Sequence, residues 1–371
     1  MGFKPAPFAK AYDISLNKFR KYYATVTIML RMAILVVLIS TVVWCQTSSG
    51  LRVSFWNVEN LFDMENDPEK NDDEFSLGGR KNVTQEIYDL KLKNCAAVLT
   101  DLNADIVGIC EVENQFMMQE LNRVYTDRDY AIVHFDSPDR RGIDCALFYD
   151  PAVFTVLESR AIKNVLPGNL PTRDIVHVQG AYQNQVLHIF VNHWPSNYGG
   201  KEKAIPKRAA TADLLENIML DILADDPDAD ILLMGDFNEE PIDTNIKGFI
   251  DMINGKRSAR PFTNLMEPLV GKPGVGTYVY RGQDNLIDQI IVSSGLMNSG
   301  SLKILPGSLE ILDQPKYRQQ EGKYAHYPFR FWAGNRLLGG YSDHLPVSLS
   351  LIHISEPTRR TPISYAVFCL K

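Results

Sequence analysis

"ADILLMGDFNEEP" (residues 229–241) runs four apolar residues, Ile231 to Met234, straight into Gly235, Asp236 and Asn238. An apolar run of this length, bounded by turn formers, reads as a strand covered on both faces, although periodicity alone does not separate it from a buried helix. A carboxylate and an amide leaving the core together at the end of such a strand stand where α/β proteins keep their chemistry. Gly-Asp pairs also make ordinary turns, so the stretch carries weight only with support from elsewhere in the chain.

That support is an internal echo. "ADIVGICEVEN" (104–114) aligns with residues 229–239 without a gap, and each copy follows a helical pattern. Each places a carboxylate and then a polar residue two positions on: Glu111 and Glu113 in one, Asp236 and Asn238 in the other. "FWNVEN" (55–60) and "FVNHWP" (190–195) likewise end strands with Asn57 and Asn192. Self-similarity of this kind points to two related halves. Combined with alternating strands and helices, it predicts an α/β fold: a four-layer α-β-β-α sandwich of two packed mixed β-sheets with flanking helices. Equivalent strand ends of both halves would then meet at one rim, bringing Asp236 and Asn238 to Glu111, Asn57 and His193.

The remaining pattern fits one domain over residues 46–348. Tyr88, Leu92, Cys95, Leu99 and Leu102 recur at helical spacing, and a second helix is expected from about Lys207 to Ala224, stopped by Pro227. Further strands are expected at "RVSFWNV", "YAIVHF", "CALFYD", "FTVLES", "IVHVQGAY", "VLHIFVNHW", "TYVY", "LIDQIIVS" and "HLPVSL". "GKPGVG" (271–276) lacks the preceding strand and following helix of a dinucleotide loop and reads as a turn.

The chain has 371 residues, 45% hydrophobic, with a formal net charge of -7. It has ample material for a core and is not a disordered chain. The acidic balance weighs against broad electrostatic capture of nucleic acid, while leaving room for a local basic patch. From Met29 to Cys45 a cationic start, a short apolar run and a polar end form the pattern of an export signal, too short for a comfortable membrane span. A periplasmic or secreted protein is expected; a lipid-anchored form would modify Cys45, but bulky Trp44 before it fits that poorly. Residues 1–28 then read as an upstream extension from a wrong start. The stretch from Leu349 to Lys371 matches translated sequencing-adapter sequence and is set aside. Cys95, Cys110 and Cys145 remain, read as small buried hydrophobes rather than a bridge or a zinc site.

Six motifs in order, "WNVENL" (56–61), "GICEVE" (108–113), "NHWPS" (192–196), "MGDFN" (234–238), "LIDQIIV" (286–292) and "SDHLPV" (342–347), resemble the endonuclease/exonuclease/phosphatase superfamily, the group of deoxyribonuclease I, abasic-site endonucleases, neutral sphingomyelinases and inositol polyphosphate phosphatases. The resemblance implies hydrolysis of a phosphoric ester by water attack with a divalent metal: Mg²⁺, or Mn²⁺, with Ca²⁺ as a further option. Such ions take carboxylate and amide oxygens and neutralise non-bridging phosphate oxygens. The implied ligands are Glu111 and Asn57, with Asp343 and Glu59 as further candidates. His344 and Asp236 flank the attacking water. Either His344 is the base, oriented by Asp288, or Asp236 takes the proton while a protonated His344 stabilises the transition-state charge. Asn238 would donate to a phosphate oxygen, and His193 to the phosphate or leaving group, with Asp144 as a candidate acidic partner. Arg208 and Arg141 could hold phosphate.

For substrate, the resemblance favours nucleic acid cleaved by an endonuclease; a phospholipid or small phosphate ester is the alternative, and a non-catalytic binding protein a third reading. The segment 316–344 interleaves Tyr317, Tyr324, Tyr327, Phe331 and Trp332 with cations, which suits base stacking, a membrane wedge or a buried sheet cover. Nothing implies an obligate protein partner, and a monomer is expected.

Overall fold

The first strand, β1 (Leu51–Leu61), is buried nearly throughout, polar residues included, because it runs through the middle of a sheet. The computed structural model describes residues 50–255 and 262–353. β1 is followed by helix α1 (Gln85–Leu102), β2 (Ile106–Val112), α2 (Gln115–Val124), β3 (Ala131–His134) and β4 (Asp144–Tyr149). The second half comprises β5 (Thr155–Ile162), β6 (Ile175–Tyr182), β7 (Gln185–His193), α3 (Lys201–Asp225), β8 (Ile231–Asp236), α4 (Thr244–Gly255) and β9 (Phe262–Asn264). Then come the hairpin β10 (Tyr278–Tyr280) and β11 (Gln283–Asn285), and the strands β12 (Asp288–Ser293), β13 (Leu302–Ile304), β14 (Glu310–Ile311), β15 (Trp332–Ala333), β16 (Arg336–Leu337) and β17 (Val347–His353).

One sheet has the order β13-β17-β1-β2-β4-β3, with β14 also on β17; the other runs β5-β6-β7-β8-β12-β9. Each contains one parallel pair bridged by a helix, β1-α1-β2 and β7-α3-β8, amid antiparallel neighbours. The echo in the sequence is therefore an echo in structure: β2 and β8 take equivalent places in two mixed sheets. Phe55, Cys110 and Leu147 of one sheet share a core with Val191, Met234 and Ile290 of the other. A Cβ at Gly108 would come within 2.7 Å of Met234, so the sheets approach where glycine permits it. The helices α1 and α2 bury their apolar faces on the outer side of the first sheet, and α3 and α4 on that of the second, completing the four expected layers.

Local chemistry sets the helix bounds. Thr84 caps α1 by accepting the Ile87 N–H, and the chain leaves that helix at Asn103 in the left-handed region. α3 begins six residues before the periodic pattern, because Pro206 sits inside it and reads as a boundary. α2 and α4 were not expected. α2 buries only Met117, Met118 and Leu121, too few for a period to stand out, and is started by Asn114 accepting the Met117 N–H.

The expected domain end at residue 348 falls inside β17. Leu349 and Leu351 are buried and the strand pairs β1 as far as Leu51–Leu351, since the alternation begun at Val347 carries on unbroken. Residues 1–28, the export signal 29–45 and residues 354–371 lie outside the described residues. Cys95, Cys110 and Cys145 are buried and unbridged. "TYVY" forms a strand, but in the β10-β11 hairpin outside both large sheets.

Candidate active site

Two backbone irregularities create the site. The β1–β2 ladder shifts register between Asn57 and Leu61, and the β2–β4 ladder between Cys110 and Val112. Both bulges turn the chain at a strand end and aim a side chain away from the alternation. Glu59, Asn60, Glu111 and Asn238 all adopt positive φ, between 52° and 65°, a conformation that non-glycine residues hold only where their surroundings enforce it. In the second sheet Gly235 lets β8 pass hard against the Asn192 backbone, and His193 of β7 pairs in register with Asp236 of β8.

The strand ends meet across the seam between the sheets. Asn57 Nδ2 donates to Asp236 Oδ2 at 3.1 Å, and Asp236 Oδ1 accepts the Asn238 N–H at 2.9 Å. His193 Nε2 stands 3.6 Å from Asp236 Oδ2 and 3.9 Å from Glu111 Oε1. His344 Nδ1 is 2.8 Å from Asp288 Oδ2, while its Nε2 faces Asp236 and Asp343, each at 3.9 Å. One site thus gathers Asn57, Glu111, His193, Asp236, Asn238, Asp288, Asp343 and His344, drawn from all six motifs.

His344 is positioned from three sides. Its N–H donates to Ser342 Oγ at 3.0 Å, that hydroxyl donates to the Asn57 carbonyl at 2.7 Å, and Trp56 Nε1 donates to the His344 carbonyl at 3.2 Å. The Tyr278 ring lies 4.8 Å from the imidazole. Burial by itself would strip the proton from His344, but Asp288, with Asp236 and Asp343, overcomes it and holds the imidazole well above its ordinary range. Asp236 is pushed up to about 7 by burial, against the pull of His344 and with a push from Asp288. His193 is held well below its ordinary value by burial, reinforced by Arg173, Arg141 and His344, so it is a neutral imidazole.

Several expected roles are corrected. Glu59 is not open to a metal: it is buried, and its two oxygens accept the N–H groups of Phe331 and Trp332 at 2.6 and 3.0 Å. It ties the segment before the final motif to β1. Arg208 is fully buried and does not face substrate; it pairs with Glu239 at 2.8 Å and donates to the Pro195 carbonyl at 2.9 Å. It lies beyond the first turn of α3, beside the His193 loop, and its side chain points inward. Asp144 is not the partner of His193. It takes His134 Nε2 at 3.1 Å and the Ser137 N–H at 3.0 Å, whereas His193 Nδ1 is buried with no hydrogen-bond partner. Arg141 remains half exposed and near enough to His193 to act on it electrostatically.

The residues missed by sequence reading are supports. Arg173 donates to the Trp194 carbonyl at 2.9 Å and to Asp139 at 3.1 Å, gripping the His193 loop. Arg330 pairs with Asp343 at 2.7 Å and stands 3.6 Å from Glu59. Tyr278 was legible only as part of an apolar strand. The segment 315–341 mainly covers the first sheet: Tyr317, Phe331 and Trp332 are buried, and Tyr324 is exposed.

The donor set at Glu111 fits a hard divalent cation. Oε2 accepts the Asn60 N–H at 3.1 Å, Oε1 stands 3.9 Å from His193 Nε2, the side chain is 13% exposed, and the Asn57 amide stands on the neighbouring strand. Asp343 Oδ2 is committed to Arg330, leaving Oδ1 toward His344.

Comparison with known proteins agrees with this fold. A crystal structure of D. rerio TDP2 complexed with a single-strand DNA product superposes with a TM-score of 0.51 at 15% identity, covering 82% of this chain and 99% of that one. An endonuclease/exonuclease/phosphatase family protein from Bacteroides thetaiotaomicron gives 0.52 at 18% identity, with 83% and 96% covered. The mannosyl-6-phosphatase of the same organism gives 0.51 at 18%, with 81% and 99% covered. No curated protein sequence matches. The family model described as "Endonuclease/Exonuclease/phosphatase family" matches residues 52–353, and the chain belongs to that family.

Proposed function

We propose that the protein is a divalent-metal-dependent hydrolase of phosphoric esters that attacks with water, and that its substrate is a nucleic-acid phosphodiester. The observation that carries this reading is the His344–Asp288 pair at 2.8 Å, turned toward Asp236 and facing Glu111 and His193 across the sheet seam. Family members generally use divalent metal ions. Held by Glu111 and Asn57, such an ion would neutralise non-bridging phosphate oxygens. Asp236, pushed up to about 7, is poised to take the proton of the attacking water near neutral pH. His344, held protonated by Asp288, is suited to stabilise charge building on the phosphorus oxygens. Neutral His193 and the Asn238 amide suit donation to the phosphate, and Arg141 suits its capture at the rim.

A second substrate reading, a small phosphate ester, is favoured by the burial of Tyr317, Phe331 and Trp332, which leaves Tyr324 as the exposed aromatic of that segment for stacking on bases. A turnover panel with and without EDTA separates the two: plasmid DNA, RNA, sphingomyelin, inositol phosphates, hexose phosphates and a nitrophenyl phosphodiester. Nicking of plasmid DNA that EDTA abolishes is the expected result. Turnover confined to the small esters transfers the proposal to them, and EDTA-resistant turnover overturns the metal.

Export is also proposed, on the pattern of residues 29–45; among the described residues no helix is long and apolar enough to cross a membrane. Mass spectrometry of the exported N-terminus tests it, with cleavage after Cys45 as the expected result.

A further inference from the structure

Cys110 and Cys145 take no part in the chemistry above, yet they stand directly opposite each other. The antiparallel β2–β4 ladder runs without interruption from Ile106–Tyr149 to Cys110–Cys145, which is its last pair before the register shifts. Glu111 follows Cys110 at that bulge, and Asp144, just before Cys145, pairs with Val112 beyond it.

Directly opposed residues of antiparallel strands send their side chains to one face, and both cysteines lie in the core between the sheets, 0% and 2% exposed. The Asp150 N–H donates to the Asp105 carbonyl at 2.8 Å, so that pair, five positions back on the same register, is a hydrogen-bonded one. The two kinds of pair alternate along a ladder, which puts Cys110–Cys145 at a non-hydrogen-bonded place, where Cα atoms stand about 4.5 Å apart and side chains come closest. A disulfide takes Cα atoms roughly 4.4–6.8 Å apart with Cβ atoms turned toward each other, so the backbone here already meets its span. Cys95 does not compete, because it packs from α1 into the separate core on the outer side of the first sheet.

We propose that Cys110 and Cys145 are an oxidative modification site, joined as a disulfide by a disulfide oxidant of the glutathione class, and that the bridge fastens β2 to β4 at the bulge carrying Glu111. One cysteine thiolate attacks the oxidant to form a mixed disulfide and releases one thiol; the other cysteine attacks that mixed disulfide and releases the second. The two cysteines lose two protons and two electrons, and the oxidant leaves as two thiols. With both sulfurs shut away from solvent, the exchange takes place before the sheets close over β2 and β4. The export proposed above would bring the chain to such an oxidant, but the pairing does not rest on it. The bridge closes a loop of about 35 residues that holds α2 and β3, and so removes conformational freedom from the unfolded chain.

Peptide mapping of the full chain tests the site. The chain is synthesised in a cell-free extract buffered with either oxidised glutathione or dithiothreitol, then alkylated with iodoacetamide in denaturant and digested without reductant. From the oxidised synthesis a Cys110 peptide joined to a Cys145 peptide is expected, lighter than the separate thiols by two hydrogens, with Cys95 alkylated. From the reduced synthesis Cys95, Cys110 and Cys145 should all be alkylated. The oxidised chain should also melt about 5 °C or more above the reduced one, followed by circular dichroism. Cys110 and Cys145 left as thiols or capped by glutathione in the oxidised synthesis, a bridge to Cys95 in their place, or a bridged chain that melts no higher than the reduced one would each overturn the proposal.

Discussion

His344 shows how much of the site rests on single contacts. Asp288 is wholly buried, and apart from the 2.8 Å contact to Nδ1 its second oxygen has no partner, so its carboxylate serves the imidazole. Replacing it by Asn removes the charge that keeps His344 protonated while retaining the shape. Asp288→Asn should lower kcat by about 10²–10⁴-fold, read in steady-state turnover of a nitrophenyl phosphodiester at saturating metal; an unchanged kcat would mean that the pair only packs. Glu111→Ala should instead raise the metal concentration needed for half-maximal rate, and an unmoved metal titration would show that the ion is held elsewhere. At this scale the sequence was informative about which residues gather but less so about where each side chain points. Glu59 and Arg208 lie near the site residues in the chain, yet burial and backbone partners, N–H donors for Glu59 and a carbonyl for Arg208, turned one into an anchor and the other into a clamp. Neither fact has a local signature, because each depends on partners such as Trp332 and Glu239 far along the chain.

Among the elements, the loops that carry the site are held by buried ion pairs rather than by apolar packing alone. Arg208, on α3, reaches Glu239 in the loop after β8, and Glu239 in turn accepts the Asn245 N–H at the start of α4 at 3.1 Å. The same guanidinium holds the Pro195 carbonyl, so three elements around His193 and Asp236 share one clamp. Arg208→Ala strands Glu239 in the interior and should cost about 3–5 kcal/mol in urea denaturation, because an uncompensated buried charge is left behind. A change of KM with stability untouched would return Arg208 to substrate binding. Strands such as β6 were legible at their full extent from apolar runs, whereas α2 was not, since three buried residues over ten positions make a weak period. The bulges at Asn57 and Glu111 escaped notice for a further reason: a bulge is a property of two strands together.

For the whole molecule, the two-sheet architecture was legible from the echo between residues 104–114 and 229–239, and the seam between the sheets is what brings distant motifs together. Packing so many carboxylates at that seam and beside it makes stability depend on pH. Burial first, with neighbouring carboxylates adding, raises Glu59 and Asp236 to about 7 and Glu113 to about 8, and His344 also stands above its ordinary value. Above pH 6.5 the folded state therefore binds more protons than the unfolded chain, and its stability declines as pH rises. His193 and His177 are shifted down by burial and oppose this only at lower pH. Melting in EDTA should accordingly occur at lower temperature at pH 8 than at pH 6.5, and added divalent cation should narrow the difference; a Tm that rises over this interval would contradict the shifts. Catalysis here requires six separated segments to act as one site, and the most direct test is kcat/KM of His344→Ala on a phosphodiester cleaved by the parent, with saturating metal and with circular dichroism confirming the fold. We expect a loss of about 10²-fold or more with the fold retained; a folded variant that turns over at the parent's rate would contradict it.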